Sequence, residues 1–266
     1  MGGVKVRTRI APTPSGYLHI GNAYNFYLIQ KHAQEKKGKI LLRIDDFDFD
    51  RVREEYIEDI FKVLKWLQIS PDEGPRDIQE FYKFFSQKNK QDKYLKVLKI
   101  LEQKGLVYAC ECSRSQKDCF TDEGSYKGKC RDKNLKFEAA KHALRLRCED
   151  GDFSWKRTLN DFVLWTKENR ASYQLISVVE DVENKIDFIV RGEDLRDSSG
   201  AQLYLAQKLE GVYKAFFEKI QFIHHPLILD PQNPAQKLSK SLNSFSLNSL
   251  IQGGYTYERF LSEFAC

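Results

Sequence analysis

The chain has 266 residues, 41% hydrophobic and 30% charged, with a formal charge of +5 and a pI near 8.7. That length buries a sizeable core in one or two domains. No run of about 18 apolar residues occurs, and the N-terminus lacks the apolar stretch of a signal peptide, so no membrane span is expected and the cytoplasm is the expected location. The net charge permits nucleic-acid binding but does not argue for it, because such a footprint is a clustered patch. Six cysteines in a reducing compartment read as metal ligands or buried thiols before disulfides.

Val4, Val6, Thr8 and Ile10 alternate with polar residues, which predicts a strand. Ala23 to Lys36 has helical spacing. Between them lies Arg9-Ile10-Ala11-Pro12-Thr13-Pro14-Ser15-Gly16-Tyr17-Leu18-His19-Ile20-Gly21-Asn22, a strand-to-helix turn. Pro12 and Pro14 keep it out of helix, and Gly16 and Gly21 let the backbone bend or approach a ligand. A helix beginning near Gly21 offers free N–H groups and its positive dipole end to a phosphate, with His19 as a further donor.

Lys39 to Ile44 predicts a second strand, running into Arg43-Ile44-Asp45-Asp46-Phe47-Asp48-Phe49-Asp50-Arg51. The acidic spacing from Asp46 hints at a calcium loop, but Arg51 and Ile57 stand where such a loop needs Gly and Glu. Asp48 and Asp50 read as a solvated loop. Asp45 leaves the end of a parallel strand, where open α/β sheets bind ligands. Glu54 to Leu67 predicts a helix with Ile57, Ile60, Phe61, Leu64 and Leu67 inward. Ser70 to Pro75 breaks the pattern, and Glu80 to Lys104 predicts one long helix closed by Gly105. The lysines of that helix read as a solvated face in preference to an RNA-facing stripe.

Residues 106–172 interrupt the α/β pattern. They hold Cys110, Cys112, Cys119, Tyr126 and Cys130, and clustered thiolates suit a tetrahedral zinc ion; buried, inert thiols are the alternative. Cys148, in a strand-like run from Ala143, reads as core, and Cys266 is uninformative. Asp161 to Trp165 predicts a strand, as do Ile186, Phe188 and Val190, which lead into Arg191. Asp197-Ser198-Ser199 predicts a cap for a helix running to Leu209. Phe222 to Pro226 reads as strand then turn, with His224 and His225 as strand-end residues. Lys237-Leu238-Ser239-Lys240-Ser241 reads as a loop. This order predicts a doubly wound parallel sheet split by a small lobe.

Several stretches together resemble the class I aminoacyl-tRNA synthetases of the glutamate/glutamine branch. Residues 9–22 resemble the HIGH signature and Lys237-Leu238-Ser239-Lys240-Ser241 resembles KMSKS. Arg43 to Asp46 resembles the RIED or RFDD segment, and Tyr173-Gln174-Leu175-Ile176-Ser177-Val178-Val179-Glu180-Asp181 resembles YQLAVVVDD. The resemblance covers residues 4–242 and implies a Rossmann-like catalytic domain from 1–105 and 173–235, an insertion lobe over 106–172, and a short segment, 236–266, carrying the KLSKS loop without an anticodon-binding domain. It implies ATP as substrate, with Mg2+ on the phosphates, held by His19, Gly21, Asn22 and Lys240. Lys237 and Lys240 would stabilise the departing pyrophosphate. Asp45 would take the substrate ammonium, and Arg9, Thr13, Tyr173 and Arg191 the rest of a glutamate, an arginine fork being suited to a carboxylate.

Cys110, Cys112, Tyr126 and Cys130 resemble the zinc site of the glutamyl-queuosine tRNA(Asp) synthetases, with Cys119 competing with Tyr126 as fourth ligand. That resemblance implies glutamate activation without tRNA, then transfer to the queuosine base of tRNA(Asp), by an enzyme expected to be a monomer. Asn22 replaces the last His of HIGH, Thr13 replaces the usual Ser, and Asp45 is shorter than the Glu of most bacterial glutamate enzymes, so glutamate against glutamine stays open. The rival readings are a glutamyl- or glutaminyl-tRNA synthetase charging a tRNA end, and a non-catalytic RNA- or amino-acid-binding paralogue.

Overall fold

The computed structural model describes residues 6–113, 115–122, 124–149, 160–230, 233–237 and 246–264, with backbone alone for 229, 230 and 233–237. The chain opens with β1 (Arg7–Ile10), α1 (Ile20–Glu35), β2 (Lys39–Leu42) and α2 (Glu54–Trp66), followed by the single turn α3 (Ile78–Glu80) and α4 (Gln91–Gln103). Then come β3 (Val107–Cys110), β4 (Ala143–Leu146), β5 (Val163–Trp165), α5 (Tyr173–Glu183) and β6 (Phe188–Gly192). The last part holds α6 (Arg196–Leu209), α7 (Gly211–Phe217), β7 (Gln221–His225), β8 (Leu229–Asp230), β9 (Asn233–Lys237), α8 (Leu247–Gln252) and α9 (Tyr257–Phe264). Among the described residues, no helix is long and apolar enough to cross a membrane.

These elements form two compact units. The first comprises Met1–Asn89, Ile186–Asp194 and Gln221–Cys266; the second comprises Lys90–Lys185 and Leu195–Ile220. The division differs from the expected segments. Helices α4, α5 and α6 go with the cysteine-bearing strands, because they pack on one another: Tyr94 Oη donates to Glu180 Oε1 at 2.8 Å and Lys90 Nζ reaches Glu180 Oε2 at 3.0 Å.

In the first unit β1 pairs in parallel with β2, and β6 in parallel with β7. The two pairs meet along β1 and β6, where Asp187 N donates to Arg7 O at 2.7 Å and Thr8 Oγ1 to Phe188 O at 2.9 Å. The layer therefore runs β2, β1, β6, β7. Ile10, Leu42 and Val190 from its strands meet Phe26 and Ile29 of α1, Ile57, Ile60 and Leu64 of α2, and Phe260 of α9 in one buried core. Gly74 sits at φ 105°, and a Cβ there would lie 2.2 Å from Leu42 O. Only glycine lets the chain after α2 run back along β2.

The second unit carries an antiparallel sheet in the order β3-β4-β5. The fold is thus mixed α/β, with parallel strand pairs in one unit and, in the other, an antiparallel sheet whose strands all fall within the expected insertion over 106–172.

Two local expectations are corrected. The predicted helix from Glu80 to Lys104 is broken: Phe81–Phe85 forms a π turn, Gln87–Lys90 a 3-10 turn, and only Gln91–Gln103 is regular helix. Its predicted end holds, with Gly105 at φ 67° just beyond α4. Asp197, Ser198 and Ser199 do not cap α6 but lie inside it; Leu195 stands at the N-cap, and Ser199 Oγ donates back to Leu195 O at 3.2 Å.

Candidate active site

His19 sits at the N-cap of α1 in an extended conformation. Its Nδ1 accepts from Gly21 N at 3.1 Å, while Asn22 Oδ1 accepts from His19 N at 3.1 Å, a reciprocal cap. A Cβ on Gly21 would lie 3.0 Å from the imidazole, so the glycine makes room for the ring. The first amides of α1 are therefore not open, as the sequence suggested: Gly21 N goes to the imidazole and Asn22 N to His19 O at 2.9 Å. With Nδ1 accepting, a neutral His19 carries its proton on Nε2. The Asn22 side chain caps through its Oδ1, so its amide hydrogens take no part in the cap.

Asp59 holds this turn in place, and sequence reading missed it. It lies on the inward face of α2, 1% exposed, and accepts from Leu18 N at 2.7 Å and from Asn248 Nδ2. The signal was a carboxylate among Ile57, Ile60 and Val63 on an apolar face. The segment after the Lys237–Ser241 motif also returns here. Leu247 N donates to Leu18 O at 2.7 Å, and Ser246 bridges to His19. The start of α8 thus closes against the residue that caps α1. Lys240 lies outside the described residues, and Lys237 is described only as the last backbone position of β9.

Asp45 follows β2 and is 1% exposed. Arg43 grips it with Nε to Oδ1 at 2.7 Å and Nη2 to Oδ2 at 2.9 Å, and Gln87 Nε2 donates to Oδ1 at 2.7 Å. Its neighbour Asp46 accepts from Ser86 Oγ at 2.6 Å and Gln87 N at 2.7 Å. Burial pushes the Asp46 carboxyl up to about 6, against those two hydrogen bonds, and the adjacent Asp45 charge adds to the rise. This is the physical reason the predicted long helix breaks. Ser86 and Gln87 leave helical geometry to satisfy two buried carboxylates. Arg43, Asp46, Ser86 and Gln87 are the members of this cluster that sequence reading did not assign.

Arg9 in β1 and Arg191 in β6 are 4% and 3% exposed, cations buried on the two strands that meet at the middle of the layer. Arg191 also stacks on Phe222, 5.2 Å from its ring centroid. Thr13 is half-buried in the turn after β1, its carbonyl accepting from Ser15 N at 2.9 Å. Tyr173 is half-buried and opens α5 in the second unit. His225 ends β7, as expected, with Nε2 3.0 Å from Asn25 Oδ1 and Nδ1 2.8 Å from Pro226 O.

The second unit gathers Cys110, Cys112 and Cys130, all buried, with sulfurs within 4.8 Å of one another. Cys112 Sγ lies 3.5 Å from Cys130 Sγ, and Tyr126 Oη lies 3.3 Å from Cys110 Sγ and 3.8 Å from Cys112 Sγ. Cys130 N donates to the same phenol oxygen at 2.8 Å. Cys119 is buried beside them, its thiol 3.8 Å from Gln116 Oε1 and interacting also with the Cys112 thiol, but the three-sulfur group does not include it. Burial pushes the Cys112 thiol and the Tyr126 phenol up. Burial also opposes the Cys130 thiolate, but hydrogen bonds from the Glu111 backbone, Tyr126 and Cys112 outweigh it and hold that thiol low. Zinc–sulfur bonds of about 2.3 Å at tetrahedral angles place sulfurs about 3.8 Å apart, with nitrogen or oxygen accepted as a further ligand. The donor set fits a zinc ion.

A solved structure, the glutamate-tRNA synthetase of Elizabethkingia anophelis, superposes with a TM-score of 0.69 at 24% identity, over 90% of this chain and 53% of that one. This places the fold among class I synthetase catalytic cores. Residues 5–263 match the family described as tRNA synthetases class I (E and Q), catalytic domain, and the chain belongs to that family of ligases. It is 33% identical to the glutamyl-Q tRNA(Asp) synthetase of Nitratidesulfovibrio vulgaris, over 94% of this chain and 82% of that protein. It is 32% identical to glutamate–tRNA ligase 2 of Caldicellulosiruptor saccharolyticus over 97% of its length, but spans only 57% of that relative.

Proposed function

We propose that the protein activates glutamate with ATP to form glutamyl-adenylate, without requiring tRNA, and passes the glutamyl group to the queuosine base of tRNA(Asp). The observation that carries this reading is the 33% identity to a glutamyl-Q tRNA(Asp) synthetase across most of both chains. In the first step the α-carboxylate of glutamate attacks the α-phosphorus of ATP, a P–O bond forms, and pyrophosphate leaves. The protein's task is positioning and charge neutralisation. His19 Nε2–H and the Asn22 amide supply donors to the phosphates, and Lys237 and Lys240 the cations for the leaving pyrophosphate. Magnesium on those phosphates would add to the same neutralisation.

Asp45 takes the substrate ammonium. Three of the roughly four acceptor positions of an ionised carboxylate are filled by Arg43 and Gln87, which leaves one on Oδ2. Arg9 and Arg191 offer carboxylate-binding forks, with Thr13 adding a hydroxyl. Cys110, Cys112, Tyr126 and Cys130 hold a zinc ion that organises the β3–β4 end of the second unit.

ATP–pyrophosphate exchange with glutamate and with glutamine, each with and without tRNA, tests this. Exchange with glutamate alone is expected, followed by transfer to queuosine-containing tRNA(Asp). Exchange that needs tRNA would instead favour a conventional charging enzyme, the second reading, which the 32% identity to a glutamate–tRNA ligase supports.

A further inference from the structure

Arg145, in the middle strand β4, carries a guanidinium that is 7% exposed. Its Cζ lies 3.9 Å from the centroid of the Tyr126 ring and 5.8 Å from that of Phe120. Among the described residues its guanidinium makes one hydrogen bond, from Nη1 to the Asp161 backbone oxygen at 2.9 Å, and its Nε has no partner. Among the described residues no carboxylate lies at ion-pairing distance of it. The Asp161 carboxylate, the obvious candidate, is taken by Tyr108 Oη at 2.6 Å, Arg131 Nη1 at 2.8 Å and Cys148 N at 2.7 Å. A buried cation without a counter-charge is costly and is normally found paired.

The candidate anion is the cysteine group that the same tyrosine touches, with Tyr126 Oη 3.3 Å from Cys110 Sγ and 3.8 Å from Cys112 Sγ. Three thiolates outweigh a divalent zinc ion by one negative charge, and a phenolate ligand would add another. We infer that Arg145 is the counter-cation of an anionic zinc–thiolate centre and the residue that positions Tyr126 as its oxygen ligand. The guanidinium carbon, 3.9 Å from the centroid of the phenol ring, holds the ring by a cation–π contact, while its charge offsets the excess on the cluster without coordinating. This rests on the zinc reading of Cys110, Cys112, Tyr126 and Cys130 given above.

The test compares wild type with Arg145→Met and Arg145→Lys, each purified with zinc. Zinc content and release to a chromogenic chelator are measured, as is the absorption spectrum after substitution by cobalt(II). Arg145→Met is expected to weaken zinc binding about ten- to a hundredfold, the usual scale for a supporting group, and to alter the thiolate-to-cobalt bands. Arg145→Lys, which keeps the charge, should stay nearer to wild type. Melting of zinc-stripped protein separates this role from a structural one: Arg145→Met should leave that melting temperature unchanged or raise it, because it removes a buried cation. If the Met variant does not fold, Arg145→Gln is the neutral comparison. Equal zinc affinity and equal cobalt spectra in wild type and the neutral variant overturn the inference, as does an equal loss of melting temperature with and without zinc. A wild type that binds no zinc sinks the zinc reading itself, and the inference with it.

Discussion

Gln87 Nε2 donates to Asp45 Oδ1 at 2.7 Å, joining positions 42 apart in sequence. Both side chains are buried, and the Gln87 backbone amide serves Asp46 at the same time. One residue thus orders two adjacent carboxylates at the end of a parallel strand. Gln87→Leu removes a hydrogen bond to a charged group, a loss of about 1.5–3 kcal/mol. Urea unfolding should show that loss in stability. If Asp45 receives the substrate ammonium, KM for glutamate in pyrophosphate exchange should rise about tenfold or more, with kcat changing less. An unchanged KM would remove Asp45 from the substrate site.

Asp46 predicts a pH dependence opposite in sign to that of most carboxylates. Its folded pKa, about 6, lies above its ordinary 3.8. The folded state therefore holds the proton more tightly than the unfolded chain. The stability this contributes is fully present below pH 3.8 and is lost as pH rises through about 6. The rise from 3.8 to about 6 corresponds to about 3 kcal/mol by neutral pH. Asp46→Asn can keep both hydrogen bonds, since Ser86 Oγ can turn to accept. Its unfolding free energy, followed from pH 4 to 8, should gain on wild type across that window. Parallel curves would refute the assignment.

His19 caps α1 and is proposed to donate to the ATP phosphates, and two substitutions separate these roles. Asn is as good an N-cap as Asp or Ser, whereas Ala at a cap costs about 1 kcal/mol. His19→Asn should therefore melt close to wild type while His19→Ala melts lower. Both should lose pyrophosphate exchange by about a hundredfold, the scale of a lost transition-state donor. Full exchange in His19→Asn would confine His19 to capping.

The cysteine cluster predicts a clear order of metal content. Cys110→Ser and Tyr126→Phe each take away a proposed ligand atom and should lower bound zinc, measured by elemental analysis of purified protein. Cys119→Ser should retain one zinc per chain, because its sulfur is not among the three that lie within 4.8 Å of one another. Loss of zinc in Cys119→Ser with retention in Tyr126→Phe would reverse the choice of fourth ligand.

The short parallel strands and the turn from β1 into α1 were legible in sequence because local signals agree there: alternation, two prolines, and a glycine beside the capping histidine. The cysteine group was legible by clustering, but which residue joins the three thiols was not, since that depends on where the loop carrying Tyr126 folds back. The long-helix reading of 80–104 failed for a different reason. Phe81, Phe84, Phe85, Tyr94 and the lysines all fit helical spacing, and nothing nearby in sequence announces that Ser86 and Gln87 must leave it to meet carboxylates about forty positions earlier. Asp59 was hidden in the same way, inside a helix whose partner is the loop before His19.

Both compact units are built from separated stretches of chain. Strand β6 gains its neighbour β7 only at Gln221–His225, and the second unit gains α6 and α7 only at Arg196–Leu209 and Gly211–Phe217. During synthesis the first 185 residues thus leave the ribosome with neither unit whole, and both cores close within the same late interval. A chain stopped between residues 185 and 220 would carry two incomplete cores rather than one finished unit and a tail.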